Sequence, residues 1–467
     1  MAYTFQKVYT LIAQTPMIHF QHDQSGATLR ATEVKPKLDR YLLECAINEG
    51  ITKEIRDSWH VGYDPKDAKR HEKSYKGLNY RMKIEKMGHP VDSKITLDDC
   101  KFYFANQGDG EKKEIVFNNC KMQIDCFLPV LLEFIDKHIG DFFVLHNFGS
   151  RQTKGFGGFL ISGQTSSSIE AAFQKTNQLY FYADMPMSDR ESIKNRFNHA
   201  LTVYSVMKNG LNMTRYNEER RSYRFRDRYI KGFAMRGYLD KLPERVKIGS
   251  DKAFIKSKVH IAVNGDEKDA LDLEYKNYTF IRALLGLAEQ YEFRDRYRNN
   301  GTSENPRTHR ISYNPVGVTI INCPRNEDGT PKIVWDCSET DMKKIVSGLK
   351  KTMDIQRFAS PVTIKIYQDR IYFLFDDSYK KMLDQTFLFL AFKKIGRNYI
   401  YESIQECLEK KHYLSAPKTF DMKAFIDYFV TYYNGTVKNK LRFFIEPNPN
   451  IENPYANSLN LTLQKGW

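Results

Sequence analysis

The sequence has no Cys-x-x-Cys pair, no apolar run long enough to cross a bilayer and no secretory leader. Its seven cysteines stand singly: Cys45, Cys100, Cys120, Cys126, Cys323, Cys337 and Cys407. Cys120 and Cys126 have no second pair at finger spacing, so a zinc finger is excluded. The thiols read as free and buried in a reducing compartment. The longest apolar stretches, such as FLFLAF at 387–392, fall far short of the ~20 residues of a membrane helix. The opening MAYTFQKVYTLIAQTPMIHF lacks a basic start, a long apolar run and a small-residue cleavage site, which points to the cytoplasm and away from a membrane. Nucleotide loops are missing as well. No Gly-Lys-Ser/Thr closes a phosphate loop and no GxGxxG follows the first strand, so no cofactor or metal is expected. Acidic residues are in deficit: 57 Asp and Glu against 72 Lys and Arg leave a net charge of +15. Such a surplus calls for a polyanionic partner.

What is present is an α+β pattern of antiparallel strands with helices on one face. Residues 3–12 alternate as a strand. VKPKLDRYLLECAINEG (34–50) has helical spacing, with Pro36 in its first turn and Gly50 as a stop. Residues 51–76 read as an inserted, flexible excursion. Strands follow at 80–86, 101–106, 114–119 and 122–127, then a helix at 128–140, a glycine-rich loop and a strand at 156–162. A helix is expected over 188–210, with Ser188 and Glu191 as its capping box. Another is expected over 278–293, and a third over 339–353. Strands are expected at 316–322, 332–337, 362–367 and 370–375. Residues 378–434 read as three helices, and the Asn- and Pro-rich end as irregular. The expected boundaries are 1–185, with its insertion at 51–76; a helical basic segment, 186–249; a second module, 250–380; and a helical C-terminal region, 381–467.

Three stretches carry chemistry. HNFGSRQTKGFGGF (146–159) combines Gly149, Gly155, Gly157 and Gly158 with Ser150, Arg151 and Lys154. Glycines let a backbone approach a phosphate, and exposed N–H groups make an anion-binding concavity. Arg151 and Lys154 would neutralise charge, and Phe156 would stack on a base. The second stretch, LRATEVKPKLDRY (29–41), opens a helix bearing Arg30, Lys35, Lys37 and Arg40, with Thr32 as a cap and Lys35 aimed at a phosphate. The third, TRYNEERRSYRFRDRYIKGFAMRGY (214–238), interleaves Arg215, Arg220, Arg221, Arg224, Arg226, Arg228, Lys231 and Arg236 with aromatics, the mode of single-stranded RNA contact. A surface that docks an acidic protein would use the same residues.

The first two stretches together resemble the RAMP superfamily of CRISPR proteins. Thr15-Pro16 closes the first strand, and Leu29, Arg30, Val34, Lys35 and Leu38 fill the helix-start pattern. Gly149, Arg151, Lys154, Gly155, Phe156 and Gly157 match G-x-R-x-x-[KR]-G-F-G in order, and ASPVTIKIYQDRIYFLF (359–375) is similar to the Ser-Pro-led strand pair of a second module. The chain is most similar to the first-named RAMP subunit of the type III-B (Cmr) effector complex. Pro36, His146, Asn147 and the long insertion depart from the pattern. The resemblance implies two ferredoxin-like, RRM-related modules, placed at 1–185 and 250–380. It implies a non-catalytic role in antiviral defence, holding the 3′ part of the guide RNA and the adjoining target RNA beside other CRISPR effector subunits. The loop residues would line the RNA path, and Arg30 and Lys35 would touch phosphates.

Two catalytic alternatives stand beside that expectation. Backbone RAMP subunits cut target RNA with an Asp after the first strand, and Asp23 in QHDQSGAT, beside His19 and His22, occupies a comparable place. Guide-processing RAMP nucleases carry their glycine loop near the C-terminus, whereas here it is mid-chain and the end reads LNLTLQKGW.

Overall fold

The computed structural model describes residues 5–18, 29–64, 66, 77–88, 95–96, 114–115, 118–189, 192–212, 215–217, 222–224, 229–235, 238, 251, 254–255, 279–287, 290–294, 315–323, 327, 358–367, 369–395, 398–439 and 461–467. The chain divides into two compact units. The first gathers Met1–Val203, Val362–Phe375 and Leu441–Trp467; the second gathers Tyr204–Pro361 and Asp376–Lys440. The architecture is mixed α/β, and the paired strands of the described residues run antiparallel.

The first unit opens with β1 (Gln6–Ala13), whose alternation buries Leu11 and Ala13. Helix α1 (Ala31–Asn48) buries Val34, Leu38, Leu42 and Ala46, the stripe expected from i, i+4 spacing. A short α2 (Lys53–Ser58) follows. It lies inside the stretch expected to be a flexible excursion, and it leads to Trp59, which is buried with its ring 5.0 Å from Phe134. A single large aromatic anchors this part of the insertion; residues 65 and 67–76 lie outside the described residues. The unit continues with β2 (Arg81–Lys86), β3 (Cys120–Asp125), α3 (Pro129–Leu145) and β4 (Phe159–Ile161). Proline at the first position of α3 needs no N–H partner. The helix runs past its expected end at 140 because Ile139, Phe142 and Phe143 continue its buried face. The sheet order is β2–β3–β1–β4, so β1 is central.

A second sheet completes this unit. Helix α4 (Ser166–Lys175) is closed by a reciprocal Thr165–Ser168 cap, and β5 (Leu179–Asp184) follows it. Helix α5 (Ile193–Lys208) begins later than expected. Ser192 Oγ accepts from Asn195 N–H at 3.2 Å and takes the capping part assigned to Ser188, while Met187–Asp189 forms a separate tight turn; Glu191 lies outside the described residues. Strands β6 (Val362–Ile366), β7 (Arg370–Phe375) and β8 (Leu463–Lys465) give the order β6–β7–β5–β8. The 362–375 hairpin, expected to join residues 250–361, therefore pairs with β5 through Phe373 opposite Phe181. Those two rings stack at 4.7 Å. The chain end, expected to be irregular, supplies β8. Phe173 of α4, Tyr180, Tyr372 and Leu374 form the core here, together with Val144 and Leu160.

The second unit is built on a five-stranded sheet. Gln290–Arg294, Pro315–Cys323, Thr386–Ile395 and Asn398–Tyr401 pair in that order, and Tyr413–Ser415 also pairs with Thr386–Ile395. Two expectations are corrected. Among the described residues, the helix expected over 278–293 is helical only at Ile281–Leu284, and Gln290–Arg294 is a strand. Gly286, at φ +96° and packed against Ser360, ends it. The region from 378, expected to be three helices, holds a ten-residue strand, because FLFLAF is buried on both faces. A short apolar run has no periodicity to separate strand from helix. Helices remain at Ile404–Glu409 and Met422–Tyr432. The expected strands at 101–106 and 332–337 and the helix at 339–353 lie outside the described residues; of the strand expected at 114–119, Glu114–Ile115 is described as strand and 116–117 lie outside the described residues.

The anchoring part given to Trp59 has a measurable consequence. Trp59→Ala should cost about 3–5 kcal/mol, as deletion of a fully buried ring does, and should appear as an earlier urea transition. An unchanged transition would mean that residues 51–64 contribute nothing to the core.

Candidate nucleic-acid interface

The two sequence signals of the first half, 116 residues apart, meet in one place. The carboxylate of Glu33, in the first turn of α1, accepts a hydrogen bond from Gly149 N–H at 2.6 Å. One helical turn on, Lys37 Nζ donates to Asn147 O at 3.1 Å and Gln152 Oε1 at 2.9 Å. It also lies 3.8 Å from Glu33 and 5.0 Å above the Phe148 ring. Burial lowers the Lys37 pKa, Glu33 opposing the shift and Arg40 adding to it. Spacing i, i+4 puts Glu33 and Lys37 on the same face of α1, so this face docks the glycine loop.

The loop is also held from the segment that follows β1 and from β6. Gly157 N–H donates to Pro16 O at 2.8 Å, Gly158 N–H to Thr15 Oγ1 at 2.9 Å and Ser150 N–H to Ile18 O at 2.6 Å. On the other side, Ile364 N–H donates to Thr153 O at 3.1 Å. Gly149, Gly155 and Gly157 have φ of +77°, +88° and +72°, and each sits where a Cβ would strike a neighbour: Ile18 O, the Ile366 side chain and the Phe148 carbonyl respectively. Arg151 takes the same left-handed conformation at φ +58°, an uncommon one for a residue with a side chain.

These bonds correct the expectation of an open phosphate cradle. The N–H groups of Gly149, Ser150, Lys154, Gly155, Gly157 and Gly158 all donate within the protein. The glycines serve close packing of backbone on backbone. Phe156, expected to stack on a base, is fully buried with its ring 4.5 Å from Phe197. It is the apolar anchor of the loop, since a ring beside three tightly turned glycines has only the interior to enter.

The α1 cations divide. Lys35, expected at a phosphate, turns to Asp39 at 2.9 Å, to Leu78 O at 2.9 Å and over the Tyr80 ring at 4.1 Å. Thr32 is exposed inside the first turn, while Arg30 is the cap residue, exposed and making no side-chain cap bond. Arg40 is exposed as well. Ser150, Arg151 and Lys154 are half-buried, and burial lowers the Arg151 pKa.

Two residues at the junction escaped sequence reading. Asn147 is buried and ties the loop through Nδ2 to Gln152 O at 2.7 Å and Ile364 O at 3.2 Å. Its Oδ1 accepts from Lys365 Nζ at 2.8 Å. Lys365 is only 1% exposed, and burial pushes its ammonium well below the usual lysine range. A cation inside the apolar run VTIKIY was the available signal. His146 precedes this pair; its Nδ1 lies 3.0 Å from Phe142 O. Its pKa is lowered to about 4, chiefly by burial, with Lys365, Lys37 and Arg40 adding to the effect.

In the basic segment, Arg215 and Arg224 are register partners across a small hairpin. Arg220, Arg221, Arg226 and Arg228 lie outside the described residues, as do His19, His22 and Asp23.

Compared with known families, residues 5–211 match the Cmr1 N-terminal domain, and residues 229–325 and 330–453 match the Cmr1 C-terminal domain. No curated protein matches the chain.

The glycine packing separates two substitutions. Gly163 also has positive φ (+91°) but open space around it, so Gly163→Ala should cost only the ~1–2 kcal/mol of a left-handed alanine. Gly157→Ala should add overpacking of about 1–3 kcal/mol or more, read as a lower urea midpoint than that of Gly163→Ala. Equal midpoints would contradict the packing account.

His146 sets an acid dependence. The unfolded ring titrates near 6.5 and the folded one near 4, so between those values the unfolded chain binds more protons. Stability is full above pH 6.5 and is lost as the pH falls through about 4. The urea midpoint of His146→Gln should therefore fall less than that of the wild type between about pH 7 and about pH 4.5. Equal falls would remove His146 as a contributor.

Proposed function

The chain belongs to the Cmr1 family, RAMP proteins of the type III-B CRISPR effector complex, and from that premise we propose that it is a non-catalytic subunit gripping the 3′ part of the guide RNA and the adjoining target RNA. The observation that carries this reading is the junction of α1 with the glycine loop. Glu33 accepts from Gly149 N–H and Lys37 donates to Asn147 and Gln152, which joins the helix carrying Arg30, Thr32 and Arg40 to the loop carrying Ser150, Arg151 and Lys154. Arg30, Thr32, Ser150, Arg151 and Lys154 are the proposed phosphate contacts. Gly149, Gly155, Gly157, Phe156, Lys35 and Lys37 hold the surface in shape. The arginines at 220, 221, 224, 226 and 228 are proposed as further RNA contacts. Contacts of this kind position a strand without reading its bases, so little sequence preference is expected.

Glu33 is committed to Gly149 N–H and lies beside Lys37, which suits a positioning part better than that of a general base. Asp23 is the residue on which the nuclease alternative rests. Among the described residues no helix is long and apolar enough to cross a membrane, which suits work in the cytoplasm beside other effector subunits.

The topology supports two ferredoxin-like modules. The first is β1-α1-β2-β3-α3-β4. Numbered in chain order, its strands lie second, third, first, fourth across the sheet. The second, β5-α5-β6-β7-β8, repeats that order as β6–β7–β5–β8. The proposed second module is thus assembled from 179–208, 362–375 and 461–467. Residues 209–361 and 376–440 are insertions into it, a different division from the expected 250–380.

The test is RNA binding by the purified chain across a salt series. Arg151→Ala/Lys154→Ala should weaken binding at least about tenfold. It should also lower the slope of log K on log salt by roughly 1–1.5, since each single-strand phosphate contact adds about 0.7. The loss should be similar for unrelated RNAs of equal length. Neither wild type nor Asp23→Ala should cut RNA. Unchanged affinity and slope would refute the junction as the grip, and cutting abolished only by Asp23→Ala would make the chain a nuclease.

A further inference from the structure

Away from the junction, the second unit gathers three side chains of metal-binding chemistry, and we propose that Glu402, Cys407 and His412 form a zinc site. Each offers one ligand atom, these atoms lie within 4.8 Å of one another, and all three residues are buried. This inference is independent of the RNA reading and concerns a different part of the chain.

The backbone fixes all three positions. Glu402 follows the strand Asn398–Tyr401, and its N–H donates to Ala391 O at 2.9 Å. Ser403 and Glu406 cap the helix Ile404–Glu409 reciprocally, which sets Cys407 on its inner face. Lys411, at φ +53°, turns the chain back. His412 N–H then donates to Cys407 O at 2.8 Å, while His412 O accepts from Phe389 N–H at 2.8 Å. The trio is therefore held against the long strand Thr386–Ile395 before any ion arrives. Preorganisation of this kind lowers the ordering cost of binding.

The side chains are not fully satisfied by one another. His412 Nδ1 lies 2.8 Å from Glu402 Oε2. The Cys407 thiol lies 3.6 Å from Phe389 O and 3.5 Å from His412 O. Glu402 Oε1 is buried and receives no hydrogen bond, with Lys410 Nζ standing 3.5 Å away. That oxygen has the Lys410 ammonium as its ion-pair partner but no hydrogen bond, and a directly ligated cation would supply the close contact that a buried carboxylate oxygen otherwise lacks.

The donor set selects the ion. A thiolate with an imidazole and a carboxylate suits zinc, whereas magnesium and calcium take oxygen shells. Zinc takes such ligands at about 2.0–2.3 Å. Binding replaces the thiol proton of Cys407, which passes to solvent. Three protein ligands leave one tetrahedral position to water. Ile321, Leu388, Leu390 and Tyr413 pack around Cys407, so the ion would clamp the strand–helix–strand corner to the sheet.

The test uses the full-length purified chain, stripped with chelator and titrated with Zn²⁺ alone. The wild type should bind one equivalent and show a higher melting temperature with zinc. Cys407→Ser and His412→Gln should bind none, and Cys126→Ser, a buried thiol elsewhere, should bind as the wild type does. If the first two variants do not fold, Co²⁺ is titrated into the stripped wild type instead. A thiolate-to-cobalt charge-transfer band with tetrahedral d–d absorption supports the site. No uptake of Zn²⁺ by the folded wild type, a cobalt spectrum without thiolate character, or full uptake by folded Cys407→Ser would overturn it.

Discussion

The close approach of the loop 146–159 to the end of β1 is the constraint on which the rest of the first unit depends. Gly157 passes so near the Phe148 carbonyl that no side chain fits, and its N–H is held by Pro16 O. That contact makes the loop a tightly folded turn, with the N–H groups of Gly149, Ser150, Lys154, Gly155, Gly157 and Gly158 paired and Phe156 sealed beneath it. Its rigidity then allows Glu33 and Lys37 of α1 to dock on it from one side and β6 from the other. The proposed RNA contacts are side chains carried on this scaffold, which is a different design from a cradle of bare backbone. It fits the general pattern in which binding groups are set by rigid elements and supporting hydrogen bonds.

Buried polar groups beneath the loop give it one preferred geometry. Asn147 links Gln152, Ile364 and Lys365 in the same small volume. Each member costs free energy if left alone, so the set is stable only when assembled. Because Lys365 belongs to β6, the site also requires the second sheet, although the strands of that sheet come from three distant parts of the sequence. The two sheets share one strand order, and the loop before β4 of the first packs on β6 of the second.

Much of this was legible in the sequence where local signals agree with tertiary demand. The stripe of Val34, Leu38, Leu42 and Ala46, the proline opening α3 and the strand pair at 362–375 were all readable from period and propensity. The pairing of α1 with the glycine loop was not read from the sequence; it is made by Glu33 and Lys37, neither of which periodicity could have paired. The failures have physical causes. FLFLAF is apolar throughout, so no period distinguishes a central strand from a helix. Gly286 ends a helix because Ser360 packs against it, a contact far off in sequence. Phe156 looked like a stacking residue because an aromatic among cations is read as exposed, and only the turns at Gly155 and Gly157 send it inward. Ser188 lost the cap to Ser192 because the chain makes one more tight turn first. The proposed module division differs from the expected one because the hairpin at 362–375 pairs with β5, far back in the chain, which no local pattern records.

The central claim is that RNA lies on the junction of α1 and the glycine loop. Ultraviolet cross-linking of bound RNA, followed by mass-spectrometric mapping of the modified peptides, tests it most directly. The account predicts cross-linked residues within 29–41 and 146–159, with any further sites in 215–236. Cross-links that avoid both 29–41 and 146–159 while the chain still binds RNA would contradict it.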